Sequence, residues 1–229
     1  MEKQWQQLEN WFAENLPTMV ADLNIGCETG DLEELEKEFG VQLPRSFSDF
    51  YTIHNGQKAV NYIGMFYGAS LLPTSKILEQ WRMWASIIDD YGPEQMGIDF
   101  DQYQASLMPD KVKPMYANKK WMPFAVIWDS NYLGLDFDPG PAGKVGQVIN
   151  FGREEEQKAV LADSFKKFIE GYISELERGE ALVRNGEFLP KKYEWRFSGA
   201  GGTRLGGYVA QRFVEEPSGE EQQRLGILL

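Results

Sequence analysis

Residues 121–151 read WMPFAVIWDSNYLGLDFDPGPAGKVGQVINF, and this stretch decides the fold. It holds three short apolar runs, at Trp121–Trp128, Tyr132–Asp138 and Gly146–Phe151, separated by an Asp-Ser-Asn cluster and by a loop rich in proline and glycine. Turn residues between short apolar runs are typical of adjacent strands joined by hairpins. The stretch therefore predicts a three-stranded antiparallel meander.

Apolar residues with helical spacing flank this meander on both sides. Helices before and after a block of strands indicate an α+β fold, with a central antiparallel β-sheet flanked by helices. We predict five helices with these bounds: about Lys3 to Leu16, Asp31 to Gly40, Pro44 to Gly56, Thr74 or Ser75 to Gly92, and Asp163 or Ser164 to Gly179.

The ends of two helices are predicted from their cap residues. We expect Asp31 to cap the second helix, with Glu34 three residues later as a capping-box variant. Pro44 suits the first position of the third helix, and Gly56 can take the left-handed conformation that ends it. His54, the only histidine, then lies in the last turn, where the helix dipole favours a cation. This placement indicates a structural role for His54.

The remaining segments have weaker patterns. Tyr62–Leu72 is apolar but interrupted by glycine, which indicates a strand or an irregular buried segment. Residues 93–118 have little periodicity and are expected to form a surface excursion. We predict one domain over residues 1–184, with its core at about 31–179. Residues 185–229 are expected to be an irregular C-terminal extension, partly flexible or forming a small additional module.

Composition bounds the class of protein. The chain has 229 residues, 42% of them hydrophobic, and a net charge of −12. Residues 1–55 alone hold three basic and eleven acidic residues. Such a charge repels nucleic acid and anionic lipid, and attracts a basic partner, although it is also the ordinary means of keeping a protein in solution. The partner is therefore expected to be a protein, with no nucleic acid and no membrane involved.

The compartment is predicted from cysteine usage and hydropathy. Cys27 is the only cysteine, so no internal disulfide can form, and a reducing cytoplasm is expected. No apolar run approaches the roughly 20 residues of a membrane span. The N-terminal sequence lacks the apolar centre of a secretory signal.

Few residues in the sequence are candidates for catalysis or for binding a metal or phosphate. With one histidine there is no two-histidine metal site, and no Gly-x-Ser-x-Gly elbow occurs. The glycine-rich segment Ser198–Gly207 lacks the Gly-Lys-Ser/Thr ending of a phosphate loop. Asp129, Asp136 and Asp138 are the one acidic cluster on predicted strands, and they fit either a metal site or acid pair, or ordinary turn chemistry. We predict no catalytic, cofactor or metal residues, and a protein that binds.

Four sequence blocks, in this order, resemble the SUKH superfamily, the group typified by the fungal cell wall assembly (glucan synthesis) regulator. They are LPRSFSDFYTIHNG, KPMYANKKWMPFA, YLGLDFDPGPAGKVGQVINF and ADSFKKFIEGYISELERG, and together they lie within Leu32 to Gly179. The resemblance implies an α+β fold with a central antiparallel sheet, and no established enzymatic activity. Bacterial members look like immunity proteins that neutralise secreted toxins, and fungal members act as hubs in cell wall signalling.

The resemblance carries over scaffold positions only, because the family varies its binding surface. These positions are Leu43, Pro44, Asn55, Gly56, Trp121, Pro123, Asp136, Pro139, Gly146, Gln147, Ser164 and Phe165.

Three functional hypotheses follow. The first is an immunity-type protein that occludes a basic, nuclease-type toxin through an acidic face. The alternative is a regulatory or scaffold interaction protein of the cell wall assembly regulator type with an endogenous partner. The third is a hydrolase that uses the carboxylates of Asp129, Asp136 and Asp138. The oligomeric state is left open. The partner-binding candidates are the acids Glu33, Glu34, Glu36, Glu38, Asp89 and Asp90.

Overall fold

A computed structural model describes residues 1–58, 63–127, 130–184 and 187–190 of the protein. Its α-helices are α1 Glu2–Asn15, α2 Pro17–Asp22, α3 Thr29–Phe39, α4 Arg45–Tyr51, α5 Thr74–Asp99 and α6 Phe165–Glu177. Its strands are β1 Ser70–Leu71, β2 Ala105–Ser106, β3 Trp121–Ile127, β4 Asn131–Asp136, β5 Gln147–Gly152, β6 Gln157–Lys158, β7 Val160–Ala162, β8 Ala181–Arg184 and β9 Glu187–Pro190.

The central sheet has five strands in the order β1-β3-β4-β5-β7, and every neighbouring pair is antiparallel. Strands β3, β4 and β5 form the predicted meander, so the α+β prediction is confirmed. The register between β3 and β4 shifts at Pro123, whose missing N–H interrupts the ladder. Trp128 and Asp129, which the sequence pattern assigned to the first strand and its turn, lie outside the described residues.

The apolar segment that precedes α5, residues 63–72, is mostly irregular. Among these described residues, only Ser70 and Leu71 form a strand, while Met65, Phe66 and Tyr67 are buried and irregular apart from an isolated bridge between Phe66 and Ala69. Tyr62 lies outside the described residues.

Helices α1, α4 and α6 pack together beside the sheet through aromatic rings. Trp5 of α1 stacks on Phe50 of α4, with ring centroids 4.2 Å apart. Phe50 in turn meets Phe165 of α6 edge to face at 5.2 Å. Phe165 also contacts Phe124 of β3 at 5.3 Å, which joins the helices to the sheet. One continuous apolar core therefore includes the aromatic stripes that the sequence placed on these helices.

Helix α3 begins three residues earlier than predicted. Its N-cap is Glu28, and Asp31 lies at the third helical position, where its Oδ2 accepts a hydrogen bond from the Glu28 backbone N–H at 3.0 Å. The predicted cap at Asp31 with Glu34 is therefore wrong, because Asp31 serves as the returning acid of the capping box rather than as its first residue. Gly40 ends the helix in the left-handed conformation as predicted, with φ +59°.

Helix α4 is shorter than predicted. Pro44 is its N-cap rather than its first helical residue, and the helix ends at Tyr51. His54 therefore lies beyond the helix, and its predicted place in the last turn is wrong. Its Nδ1 is 2.7 Å from the Asn24 carbonyl oxygen, and its Nε2 is 2.7 Å from Oε1 of Glu9, so the ring ties α1 to this loop.

The Asn55-Gly56 pair explains why α4 ends early. The Asn55 Oδ1 accepts a hydrogen bond from the Thr74 N–H at 2.8 Å, and its Nδ2 donates to the Thr74 hydroxyl at 3.1 Å. Asn55 therefore caps α5 from a distant loop. Gly56, at φ +72°, passes so close that a Cβ there would lie 2.3 Å from the Pro73 nitrogen. The pair joins two helices instead of ending one.

Helix α5 bends at Gly92, a single non-helical residue with φ 70° and ψ 166°. The predicted end at Gly92 is right for the first segment only, because helix resumes at Pro93, which suits a first turn, and continues to Asp99. A 3₁₀ turn at Asp101–Tyr103 and strand β2, which pairs in parallel with β6, follow. Part of the predicted surface excursion at 93–118 is thus regular structure.

Helix α6 begins as predicted, with the Ser164 hydroxyl accepting a hydrogen bond from the Lys167 N–H at 3.3 Å. The β8–β9 hairpin follows, and Phe188 is buried against Trp11 with ring centroids 5.6 Å apart. The boundary predicted at 184/185 falls inside this hairpin, so we extend the proposed domain to Pro190. Residues 191–229, which include the glycine-rich segment Ser198–Gly207, lie outside the described residues.

Candidate protein interface

The acidic candidates lie on two neighbouring helices, α3 and α5. Leu32, Leu35 and Phe39 face the core from α3, so that the acids between them face outward. Phe39 packs on Trp81 of α5 with ring centroids 4.6 Å apart, and the Trp81 indole N–H donates to the Lys119 carbonyl at 2.9 Å. These contacts hold the two acidic helices side by side.

Arg82 of α5 lies between two of the predicted acids. Its Nη2 is 3.2 Å from Oε2 of Glu38 and 3.8 Å from Oε1 of Glu34. The Arg82 and Glu34 side chains are each 55% exposed and that of Glu38 is 33% exposed, and ion pairs at a surface contribute roughly 0 to 1 kcal/mol. The carboxylates can therefore exchange Arg82 for a cation of a partner at little cost.

The other partner-binding candidates differ in whether their side chains already have a hydrogen bond or an ion pair. Glu36 is partly buried, and its Oε1 accepts a hydrogen bond from the Leu43 N–H at 2.8 Å, so it supports the link to α4. Asp89 pairs with Lys119. Glu33 and Asp90 are exposed, and within the described part of the chain neither side chain has a hydrogen bond or ion pair. The structure thus leaves Glu33 and Asp90 most available for contact.

A basic side chain, Lys120, lies at the end of this acidic face where α3 ends. Lys120 donates from Nζ to the Phe39 carbonyl at 2.5 Å and to the Gly40 carbonyl at 3.3 Å. A cation is favoured there because the carbonyl groups at a helix C-terminus carry partial negative charge. Helix α3 itself holds five acids and one lysine, Lys37, so the face stays strongly negative.

Asp136, from the candidate catalytic cluster, is fully buried and accepts three hydrogen bonds. Its Oδ1 receives the Trp121 indole N–H at 3.0 Å and the Asp138 N–H at 2.9 Å, and its Oδ2 receives the Gln147 amide at 2.9 Å. Burial raises the pKa of Asp136, and these hydrogen bonds offset only part of that rise. The carboxyl group joins β3, β4 and β5 and has no exposed surface for a substrate.

Asp138 lies in a different environment from Asp136. Lys113 Nζ donates to its Oδ1 at 2.6 Å, and the Asn118 amide donates to its Oδ2 at 2.8 Å. Partial burial alone would raise the pKa of Asp138, but these hydrogen bonds and the charges of Lys113 and Lys120 outweigh it and hold the pKa below its ordinary value. Both carboxylates are therefore occupied by structural partners, and Asp129 lies outside the described residues.

The positions assigned to the family scaffold lie at junctions of the fold. Gln147 joins Asp136 to the Lys111 carbonyl, to which its amide donates at 2.8 Å. Gly146 takes φ +80° in the turn before β5. Leu43 and Phe165 are core residues. Pro44 is the N-cap of α4, Pro123 marks the β-bulge, and Pro139 lies in the loop that follows β4.

Cys27 and Lys158 are two further groups with perturbed titration. Burial, with a smaller effect of the Asp31 charge, raises the pKa of Cys27 to about 11, which suppresses the reactive thiolate. Burial lowers the pKa of Lys158 to about 8, although the charges of Glu155 and Glu156 oppose that shift. The Lys158 ammonium donates to the Gln104 side chain at 2.6 Å. Sequence spacing contained no signal for this buried lysine.

Two features that the described residues lack bear on function. No group of three or more histidine, cysteine, aspartate or glutamate side chains there is arranged to hold a metal ion. In the same part of the chain, no helix has the length and apolarity needed to cross a bilayer.

Comparison with known proteins supplies the relationships. A model of the SMI1/KNR4 family (SUKH-1) matches residues 26–171. KNR4/SMI1 homolog 2 of Debaryomyces hansenii is 29% identical over 81% of this chain and 38% of its own length. The cell wall biosynthesis/cell cycle regulator smi1 of Schizosaccharomyces pombe is 30% identical over 84% and 40%, respectively. The cell wall assembly regulator SMI1 of Saccharomyces cerevisiae is 26% identical over 76% and 40%. The chain thus spans about two fifths of the length of these relatives.

Proposed function

The chain belongs to the SMI1/KNR4 family (SUKH-1), and on that premise we propose that it is a non-enzymatic regulatory interaction domain of the cell wall assembly regulator type. Its function is to bind an endogenous protein partner in the cytoplasm through the acidic face of α3 and α5. The observation that carries the proposal is the family match over residues 26–171, which includes both of these helices, together with relatives named as regulators.

The geometry of the carboxylates supports binding over catalysis. The buried Asp136 holds three strands together, whereas the exposed Glu33 and Asp90 are available to a partner. A rim of exposed acids accelerates encounter with a basic surface and selects against acidic ones. Glu33, Glu34, Glu38, Asp89 and Asp90 are the proposed contacts, while Glu36 positions the loop that leads into α4.

The relatives favour this hypothesis over the immunity-type one. The matched proteins reported above are named as cell wall regulators or as homologues of them, and none is named as neutralising a toxin. The net charge of −12 also argues against a nucleic-acid partner, because phosphate backbones would be repelled.

A domain exchange tests the proposal. The matching region of the Schizosaccharomyces pombe regulator is replaced by this chain, and the resistance of the cells to a wall-digesting glucanase is measured. We expect the exchanged protein to restore resistance to a strain that lacks the regulator. A well-expressed exchanged protein that leaves the cells as sensitive as the deletion strain would contradict the proposal.

Charge reversal then tests the surface. The double variant Glu33→Lys/Asp90→Lys is expected to lose the restored resistance while remaining folded. The matched control is Glu14→Lys/Glu170→Lys, which reverses the same number of charges on α1 and α6. Equal loss in both variants would assign the effect to net charge rather than to this face.

A further inference from the structure

Four large apolar side chains are exposed around the bend of α5. Met83 is 40% exposed, Tyr91 46%, Ile98 54% and Tyr103 66%. Met83 and Tyr91 lie on the same helix about 12 Å apart along its axis, before the bend, and Ile98 and Tyr103 follow it. We name these four residues, with the acids Asp90, Glu94 and Asp99 between them, the elbow surface. Several large apolar side chains exposed along one segment are typical of protein-binding sites.

A ladder of aromatic rings connects the elbow surface, at Tyr91, to the core. Tyr91 meets Phe100 edge to face across the bend, with centroids 4.9 Å apart, and Phe100 stacks on Tyr116 at 4.7 Å. Tyr116 in turn contacts Trp84 at 5.2 Å, and Trp84 is buried in the core. The ladder holds the bend in one geometry, so a partner would meet a preorganised surface and lose little affinity to ordering it.

The chain segment that carries these side chains has acidic charge only. From Met83 to Tyr103 the chain contains five acidic residues and no lysine or arginine. Asp89 is paired with Lys119, and Asp101 accepts the Tyr116 backbone N–H at 2.8 Å. Asp90, Glu94 and Asp99 are exposed. Apolar side chains flanked in the chain by exposed carboxylates complement a partner surface that is itself apolar in the middle and cationic at the edge.

We propose that the elbow surface docks a basic amphipathic segment of a partner protein. Its apolar side chains contact Tyr91, Ile98 and Tyr103, and its lysines or arginines pair with Asp90, Glu94 and Asp99. This assignment rests on the proposed function and specifies the chemistry of its partner. A second copy of the chain is a poor occupant, because its own elbow surface would bring carboxylates against carboxylates.

Peptide selection on the full chain tests the assignment. A random 16-residue peptide library is selected on immobilised wild-type protein and counter-selected on the variant Tyr91→Ser/Ile98→Ser/Tyr103→Ser. We expect the enriched peptides to hold at least three lysines or arginines and apolar residues at i, i+3 or i+4 spacing. Enriched peptides without basic residues, or no enrichment at all, would overturn the proposal.

The affinity of the best synthetic peptide is then compared across variants by fluorescence anisotropy. The triple serine variant and Asp90→Asn/Glu94→Gln/Asp99→Asn are each expected to weaken binding at least tenfold. Ile25→Ser/Val145→Ser is the matched control, because these side chains are 88% and 71% exposed but lie elsewhere, and it should bind within twofold of wild type. Equal weakening by the control, or unchanged binding by the acid variant, would overturn the proposal.

Two other occupants give distinct outcomes. Carbodiimide cross-links in the free 229-residue chain between Glu94 or Asp99 and Lys191 or Lys192 would show that the chain covers the elbow surface with its own residues after Pro190. Self-association that the triple serine variant abolishes would show a second copy there. Either result overturns the partner assignment. The glucanase assay is independent, so restored resistance without peptide binding refutes the elbow assignment alone, and peptide binding without restored resistance refutes the regulatory function alone.

Discussion

The sheet end around Asp136 and the exposed face of α3 and α5 use carboxylates in opposite ways. Asp136 is buried away from water, and its carboxylate accepts hydrogen bonds from three protein donors. Glu38, on the exposed face, shares Arg82 with Glu34 at 3.2 and 3.8 Å and remains hydrated. A buried carboxylate that lacks hydrogen-bond partners destabilises the fold, whereas an exposed carboxylate that loses a protein partner is hydrated by water instead. The same chemical group therefore stabilises the scaffold in one region and is free to bind in the other.

The largest effect is expected from removing the buried carboxylate. Asp136→Ala leaves the Trp121 indole, the Gln147 amide and the Asp138 N–H without an acceptor, which should lower the free energy of unfolding by about 3–5 kcal/mol. Urea unfolding followed by tryptophan fluorescence measures the loss. Asp90→Ala is the exposed counterpart and should change stability by less than about 0.5 kcal/mol. Similar losses in the two variants would remove the contrast between the regions.

Lys158 extends the comparison to a buried cation. Its pKa in the folded protein is about 8, against an ordinary value of 10.5, so between these values the unfolded chain binds more protons. The free energy of unfolding should therefore rise with pH across that window, by on the order of 3 kcal/mol from this lysine. Below pH 8 the lysine is charged in both states, and its contribution no longer changes.

Comparison with Lys158→Met isolates this contribution. All other titratable groups are common to both proteins, so the difference in unfolding free energy between them reports the lysine alone. We expect that difference to shift in favour of wild type from pH 8 to pH 10.5. Parallel pH profiles of the two proteins would show that Lys158 keeps its ordinary pKa.

Asn55 tests the junction between the loop that follows α4 and the start of α5. Asn55→Ala removes the acceptor for the Thr74 N–H and should lower stability by about 1–2 kcal/mol, as is usual for a lost helix cap. Asn55→Asp keeps an acceptor and adds a negative charge at the helix N-terminus, so it should retain most of the stability. Thermal unfolding by circular dichroism separates the two variants, and an aspartate variant as unstable as the alanine one would contradict the capping role.

The smallest effect is expected at the exposed pair. A double-mutant cycle between Glu38→Gln and Arg82→Gln should give a coupling energy of no more than about 0.5 kcal/mol, decreasing as salt is added. Urea unfolding at two salt concentrations measures it. A coupling above about 2 kcal/mol that salt does not change would indicate a fixed structural ion pair, and would weaken the proposal that this face is free to bind.

Sequence periodicity predicted the parts of the fold that depend on neighbours in the chain. The meander and α6 were predicted correctly because alternation, turn residues and a serine cap all act within a few positions. The end of α4 and the place of His54 were not, because they depend on Asn55 reaching Thr74, 19 residues away, and on Glu9, 45 residues away. The continuation of α5 beyond Gly92 was missed because Gly-Pro ordinarily ends a helix.

The acidic candidates were identified from the sequence, but the sequence did not show which of them are available to a partner. Spacing placed Glu33, Glu34, Glu36 and Glu38 on one helix, yet the hydrogen bond from the Leu43 N–H that engages Glu36 appears only in three dimensions. The elbow surface was missed altogether, since Tyr91, Ile98 and Tyr103 resemble core residues in type.

The sequence by itself determined the class of the fold, the order of its elements and the sign of its charge, because these follow from local spacing and from counts of residues. Tertiary structure alone decided which carboxylate is buried and which apolar side chains stay in water. The physical reason is that solvent exposure is set by segments distant in sequence: β3 and β5 enclose Asp136, whereas the bend at Gly92 leaves Ile98 and Tyr103 at the surface.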